Sequence, residues 1–404
     1  MTTVLLIGTL DTKGEEYAFV RDLIQARGVH TLVMDLGTGG DPAFAADIGA
    51  EEVAGRGGAS LAAIRERGDR GEAVAVMLQG ARLMTREAYA AGRFQGVLGL
   101  GGGGGTAMIT AAMRELPVGV PKVMVSTMAS GNTAPYVDVK DITMMYSVVD
   151  IAGLNPLSRR ILANAAGAIV GMVQTGLPPS TSRPLIAATM FGVTTPCVSA
   201  ARERLEAAGY DVLVFHATGS GGRAMEGLIE DGWFAGVLDV TTTEWADEVV
   251  GGVLSAGPQR LRAAGLKGVP QVVSVGALDM VNFGAPDTMP DTFRERRVYR
   301  HNPSVTLMRT TVEECRAIGE RIAAQLNRAR GPVTVLLPLR GVSMIDRAGQ
   351  PFHDPVADRA LFDALRRGLR DDIRVRELDA HINDVEFAHA LADELLAMLQ
   401  PSTS

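Results

Sequence analysis

The sequence predicts an α/β protein built from two doubly wound, Rossmann-like domains with parallel sheets. Short apolar runs alternate with segments of helical period along nearly all 404 residues, the pattern of βαβ units covered on both faces. A segment rich in proline, serine and threonine over residues 176–184 interrupts that alternation and reads as a linker, after which the alternation restarts. A glycine-rich strand-to-helix junction occurs once in each half, at 101–105 and at 219–222. The boundary falls near residue 180, which gives an N-terminal domain over 1–180 and a C-terminal domain over 181–404.

In the first half, strands are expected over 3–8, 31–36, 96–100 and 122–126, with helices over 13–27, 72–91, 106–116 and 156–174. In the second half, strands are expected over 185–190, 212–216, 236–240, 271–275, 333–337 and 373–376. Helices there are expected over 196–208, 222–231 and 384–399, the last amphipathic. The segments around Asp279 to Gly284 and Arg300 to Pro303 have weak periodicity and read as loops.

Composition narrows the function classes. A hydrophobic fraction of 47% is ample for large cores. The net charge of -7 and a pI near 5.5, with basic residues scattered among acidic ones, give no nucleic-acid footprint and no membrane-binding face. Small-molecule ligands fit better. Two cysteines, Cys197 and Cys315, are too few for a zinc site or a disulfide framework. The first residues lack the layout of a signal peptide, so a cytoplasmic location is expected. Two charge-free stretches, 94–113 and 161–182, are broken by the glycine run or end in prolines and hydroxyls, and neither reads as a membrane span.

The five consecutive glycines, Gly101, Gly102, Gly103, Gly104 and Gly105, are the leading candidate site. Ordering glycine is entropically expensive, and close approach of backbone NH groups to an anion is a physical reason for such a run. Set between a strand and a helix N-terminus, with Thr106 following, the loop suits a phosphate. No Gly-Lys-Ser/Thr follows it, so it is not a Walker loop. Asp11 and Lys13, at the end of the first strand, are candidates to hold a metal and a phosphate, although Thr12 and Glu15 nearby have capping-box spacing. Ser126, Ser130, Gly131 and Asn132 cluster small donors at the same sheet edge and either complete the phosphate site or form a self-satisfied turn.

In the second half, His216 ends a strand where a general base would be wanted, Arg223 opens a helix toward an anion, and Glu226 follows on the same helix. Thr241 with Glu244 and Thr311 with Glu314 read as capping boxes, and His381 precedes a helix cap. No ligand spacing supports a transition-metal site, which leaves magnesium carried in with a nucleotide.

Four segments carry a resemblance: GTLDTKGEE over 8–16, PKVMVSTMASG over 121–131, FHATG over 215–219 and GALDMVNFG over 276–284. They resemble a largely uncharacterised bacterial family that is similar to the ATP-binding N-terminal domain of the tomato protein conferring resistance to tobamoviruses. The resemblance spans nearly the whole chain and implies two Rossmann-like domains, ATP as ligand and a homodimer. The plant protein's further domain, resembling a barrel of the phosphoenolpyruvate-hydrolase type, has no counterpart in these residues, so antiviral inhibition is not implied. Two functions follow as expectations. One is a cytoplasmic ATP-binding protein whose phosphates sit on Gly101 to Gly105. The other is an enzyme acting on a small carbonyl or carboxylate compound in a cleft between domains, with His216 as acid/base and Arg223 holding the anionic end.

Overall fold

The computed structural model describes residues 2–178 and 182–400, so residues 179–181 of the expected linker lie outside the described residues. Contacts divide the chain into two compact units, Met1–Pro179 and Ser180–Ser404. Unit 1 runs β1 (Thr3–Gly8), α1 (Leu10–Gln25), β2 (His30–Asp35), α2 (Ala50–Arg56), α3 (Leu61–Arg67), α4 (Arg70–Ala90), β3 (Gly96–Gly101), α5 (Gly103–Met113), β4 (Lys122–Ser126), α6 (Ala134–Val137), β5 (Thr143–Tyr146) and α7 (Pro156–Gln174). Its five strands are all parallel, in the order β2-β1-β3-β4-β5.

Alternation along the strands builds two cores. Leu5 and Ile7 of β1 face one side with Met34, Met77 and Ile109 beneath α2, α4 and α5, while Val4 and Leu6 face the other with Leu98, Val123 and Ala165 beneath α1 and α7. The helices start where local chemistry satisfies their free NH groups. Asp69 caps α4 through Glu72, and Asn155 with Ser158 forms a full capping box on α7, with Pro156 in its first turn. Gly8 is required by close packing, because a Cβ there would sit 1.9 Å from the Tyr17 hydroxyl. That hydroxyl donates to the Ile7 carbonyl and accepts from the Leu100 NH, tying β1 to β3 beside the site.

Unit 2 runs β6 (Leu185–Met190), α8 (Thr195–Ala207), β7 (Asp211–His216), α9 (Ser220–Glu230), β8 (Gly236–Thr241), α10 (Glu244–Val250), α11 (Ala263–Lys267) and β9 (Gln271–Gly276). It continues with β10 (Met280–Phe283), β11 (Val298–Asn302), β12 (Val305–Arg309), α12 (Val312–Leu326), β13 (Val333–Pro338), α13 (Pro355–Gly368), β14 (Arg374–Leu378) and α14 (Val385–Leu399). Six parallel strands stand in the order β14-β13-β9-β8-β6-β7. Both large sheets are parallel and helix-covered, as the alternation predicts.

Several elements depart from expectation, among them helices α2, α3, α6, α11 and α13, for which no helix was expected. The segments read as loops around Asp279 and Arg300 belong to β10 and β11, which with β12 form a separate antiparallel sheet in the order β10-β12-β11. Every residue of β11 is exposed, so it carries no apolar alternation, and its strand state comes from pairing with β12. The short edge strand β5 was not expected either. The Thr12–Glu15 capping box does not form: α1 starts at Leu10, and Asp35 from β2 accepts the Leu10 NH instead. The Thr311–Glu314 box does form. No helix among the described residues is long and apolar enough to cross a membrane.

Candidate functional site

In unit 1 the chain moves from β1 to β2 on one side and then to β3 on the other, so the order of strands reverses between β1 and β3. Accordingly α1 leaves β1 over one face of the sheet and α5 leaves β3 over the other. A crevice opens beyond the carboxyl ends at such a reversal, and ligands of open α/β sheets bind there. A cavity of about 740 Å³ occupies it. Its polar wall includes Thr9, Asp11, Thr12, Lys13, Arg65, Arg70 and Gly102 to Gly105, and its apolar wall Leu36, Ile64, Ala73, Val74 and Met108.

The glycine run is not a separate loop. Gly101 ends β3, Gly102 is the N-cap of α5, and Gly103, Gly104 and Gly105 are its first turn. No side chain caps α5, so the first-turn NH groups face the cavity without a protein acceptor. None of the five glycines has a positive φ. A Cβ at any of Gly102 to Gly105 would meet its nearest neighbour at 3.8–4.0 Å, ordinary contact. Protein sterics therefore do not demand glycine at these four positions. Side chains there would instead occupy the cavity.

Behind this turn, Thr106 and Ser126 are fully buried and joined hydroxyl to hydroxyl at 2.7 Å, locking α5 to β4. They position the turn and do not line the cavity. Ser130, Gly131 and Asn132 are exposed in the following turn, where Asn132 accepts the Ala134 NH, and they too lie outside the cavity lining. Asp11 lines the cavity but its carboxylate holds the β2–α2 loop through the NH groups of Gly39 and Gly40. Lys13 also lines it, from a kink in α1, with Nζ donating to the Ile151 carbonyl at 2.5 Å. Asp35, where a ribose-binding acid stands in dinucleotide folds, is buried and accepts the NH groups of Leu10 and Gly37, so it supports α1. Burial raises its pKa.

Sequence reasoning missed Arg65, Arg70 and Thr38. They come from the region between β2 and β3, which supplies α3 and the start of α4, and only the Ser60 and Asp69 helix caps there were available as signals. Arg65 donates to the carbonyls of Thr38 and Gly40 and so shapes the loop opposite the glycine turn.

The second glycine junction repeats the device with a different outcome. Gly219 has φ +81°, and a Cβ at Gly221 would lie 1.9 Å from the His216 carbonyl oxygen, so glycine is required by the backbone here. The anion position at the start of α9 is filled by the protein itself: Glu244 accepts the NH groups of Gly219 and Gly222 at 2.7 and 3.1 Å. Glu244 thus forms no capping box with Thr241. Fully buried Arg260 clamps Glu244 and holds Asp239 in a bidentate pair at 2.5 and 2.7 Å.

Glu226 also contacts Arg260 and accepts the NH groups of Leu261, Arg262 and Ala263. Its carboxylate is a structural acceptor for the start of α11. His216 is exposed with its ring against Phe191, and Arg223 reaches the Ser255 carbonyl. His381 is buried, with Nε2 donating to the Ser343 carbonyl and Nδ1 accepting the Asn383 NH, an arrangement that fixes a neutral ring and lowers its pKa through burial.

A second buried cluster in unit 2 gathers Asp279, Asp346 and Asp358 around Arg309. Burial, reinforced by the charges of Asp279 and Asp358, pushes the Asp346 carboxyl from 3.8 up to about 9. The folded protein then keeps a proton that the unfolded chain releases above about pH 4. The associated stability is full below the unfolded value and is lost as pH rises through about 9. Asp346→Asn is expected to flatten this decline, read from urea midpoints between pH 5 and 9; an unchanged slope would refute the assignment.

The fold and site define a two-unit, doubly wound α/β protein whose first sheet carries, at its strand-order reversal, a cavity lined by Lys13, Arg65 and Arg70 together with Asp11 and Asp69. The chain belongs to the uncharacterised protein family UPF0261: the family's N-terminal domain profile matches residues 2–178 and its C-terminal domain profile residues 183–399. It is 52% identical to a UPF0261 protein of Clostridium tetani, over 98% of this chain and 99% of that one. It is also 52% identical to UPF0261 protein RA0729 of Rhizobium meliloti, over 96% of this chain and 97% of the other. The ToMV resistance protein Tm-1(GCR237) of Solanum lycopersicum is 48% identical over 81% of this chain, which matches only 44% of the tomato protein. Likeness to solved structures is slight, as with Acinetobacter baumannii MurG at 10% identity, 98% and 93% coverage and a TM-score of 0.23.

Proposed function

We propose that this protein binds ATP in the unit 1 cavity, with the phosphates on the uncapped first turn of α5. The observation that carries the reading is the conjunction of that turn with Lys13, Arg65 and Arg70 around one cavity of nucleotide size. The apolar wall of Leu36, Ile64, Ala73, Val74 and Met108 supplies a surface for a base. The motif resemblance adds ATP as the ligand of a similar domain. Magnesium enters with the phosphates in this reading. The protein works in the cytoplasm in this reading, consistent with two buried cysteines that are free thiols, and the motif resemblance adds a homodimer.

A ligand that binds only the folded state raises its stability, by about 2.7 kcal/mol at a hundred times Kd. Calorimetric melting of the full chain with ATP and ADP, each with and without magnesium, is expected to show a concentration-dependent rise. Absence of any shift at millimolar nucleotide would end the proposal.

A further inference from the structure

The three cations of the cavity differ in what already holds them. Lys13 is engaged by the Ile151 carbonyl, and Arg65 by the carbonyls of Thr38 and Gly40. Arg70 has no hydrogen bond or ion pair with any described residue. The nearby carboxylates do not serve it: Asp69 caps α4 through the Glu72 NH, and Glu72 pairs with Arg67. Arg70 is the first residue of α4, where the helix dipole disfavours a positive charge. Its guanidinium lies 4.0 Å from where a Cβ on Gly104 would be, beside the first turn of α5. An uncompensated guanidinium between two helix N-termini, on the wall of a cavity, is the arrangement that a concentrated anionic charge would complete.

We infer that Arg70 reads the terminal phosphate of the bound nucleotide and makes the cavity selective for nucleoside triphosphates over monophosphates. The inference rests on the nucleotide reading above and adds the ligand's orientation. The end of the phosphate chain lies against Arg70 and Gly104, and the base lies toward the apolar wall. Arg70 is exposed and unpaired, so its removal should leave the ligand-free protein intact.

Isothermal titration of the full chain with ATP, ADP and AMP tests this, using wild type, Arg70→Gln and Arg70→Lys. Wild type is expected to rank ATP above ADP above AMP. Arg70→Gln should weaken ATP by about tenfold or more and AMP by less than about twofold, since only the triphosphate loses a charge-assisted contact. Arg70→Lys should fall between, because lysine keeps the charge without the planar fork. Equal affinity for AMP and ATP in wild type, or the same loss for all three nucleotides in Arg70→Gln, would overturn the inference while leaving nucleotide binding standing. No binding of any nucleotide to wild type would remove both.

Discussion

Replacing Gly103 by leucine is expected to abolish the ATP-induced rise in melting temperature while the ligand-free melting temperature stays the same or increases. The opposite signs come from the glycine geometry. Gly103 is helical and exposed, and a Cβ there meets only the Met128 sulfur, at 4.0 Å. Glycine within a helix is less favourable than alanine by up to about 1 kcal/mol, so a side chain at this position is tolerated or stabilising in the free protein. The same side chain fills the space above the first-turn NH groups and separates them from any phosphate. Gly103→Ala should behave in the same direction with a smaller loss of the ATP shift. If both variants retain the full shift, the phosphates do not sit on α5. If both melt well below wild type without ligand, the glycines serve the fold and not a ligand.

The largest loss of stability is expected from Arg260→Met. One fully buried guanidinium holds Asp239, Glu244 and Glu226, and among the described residues none of these carboxylates pairs with another cation. Deleting the cation from such a cluster leaves buried negative charge uncompensated, at a cost of about 3–5 kcal/mol. Glu244 also caps the start of α9 and Glu226 the start of α11, so the damage should spread through both helices. Both tryptophans, Trp233 and Trp245, lie in unit 2, so tryptophan fluorescence reports the loss where it occurs. Burial already raises the Glu226 carboxyl above its unfolded value, and losing the Arg260 charge that opposes this raises it further. The variant should therefore regain part of its stability as pH falls toward 5 and lose it as pH rises. A urea midpoint within error of wild type at pH 7 would show that the network contributes little. Unit 1 should keep its ATP response, which separates this effect from the site.

The fold class was legible because parallel strands buried on both faces write themselves as apolar runs, and the helices between them repeat at their own period. Helix α13 carries such a period and was nonetheless not anticipated, while other elements lack any such signature. β11 is exposed along its whole length, and β5 is a four-residue edge strand, so both exist through pairing that no local pattern announces. Local capping patterns were legible as possibilities only. Thr311 and Glu314 form their box, while Leu10 is capped by Asp35 from 25 residues away. Spacing alone does not tell which acceptor wins, because a buried long-range carboxylate competes with the near one.

The sequence by itself determined the two doubly wound halves and the two glycine-rich junctions that mark the strand ends. Which junction is left open was decided by tertiary structure. At α9 the backbone amides meet Glu244, the first residue of α10, and the anion position is full. At α5 no side chain caps the first-turn amides, although Asp11 and Asp69 line the same cavity, and α3 and α4 bring Arg65 and Arg70 to it. The physical reason is that a glycine run encodes exposed NH donors, whereas the charge facing them is set by which strands and helices become neighbours.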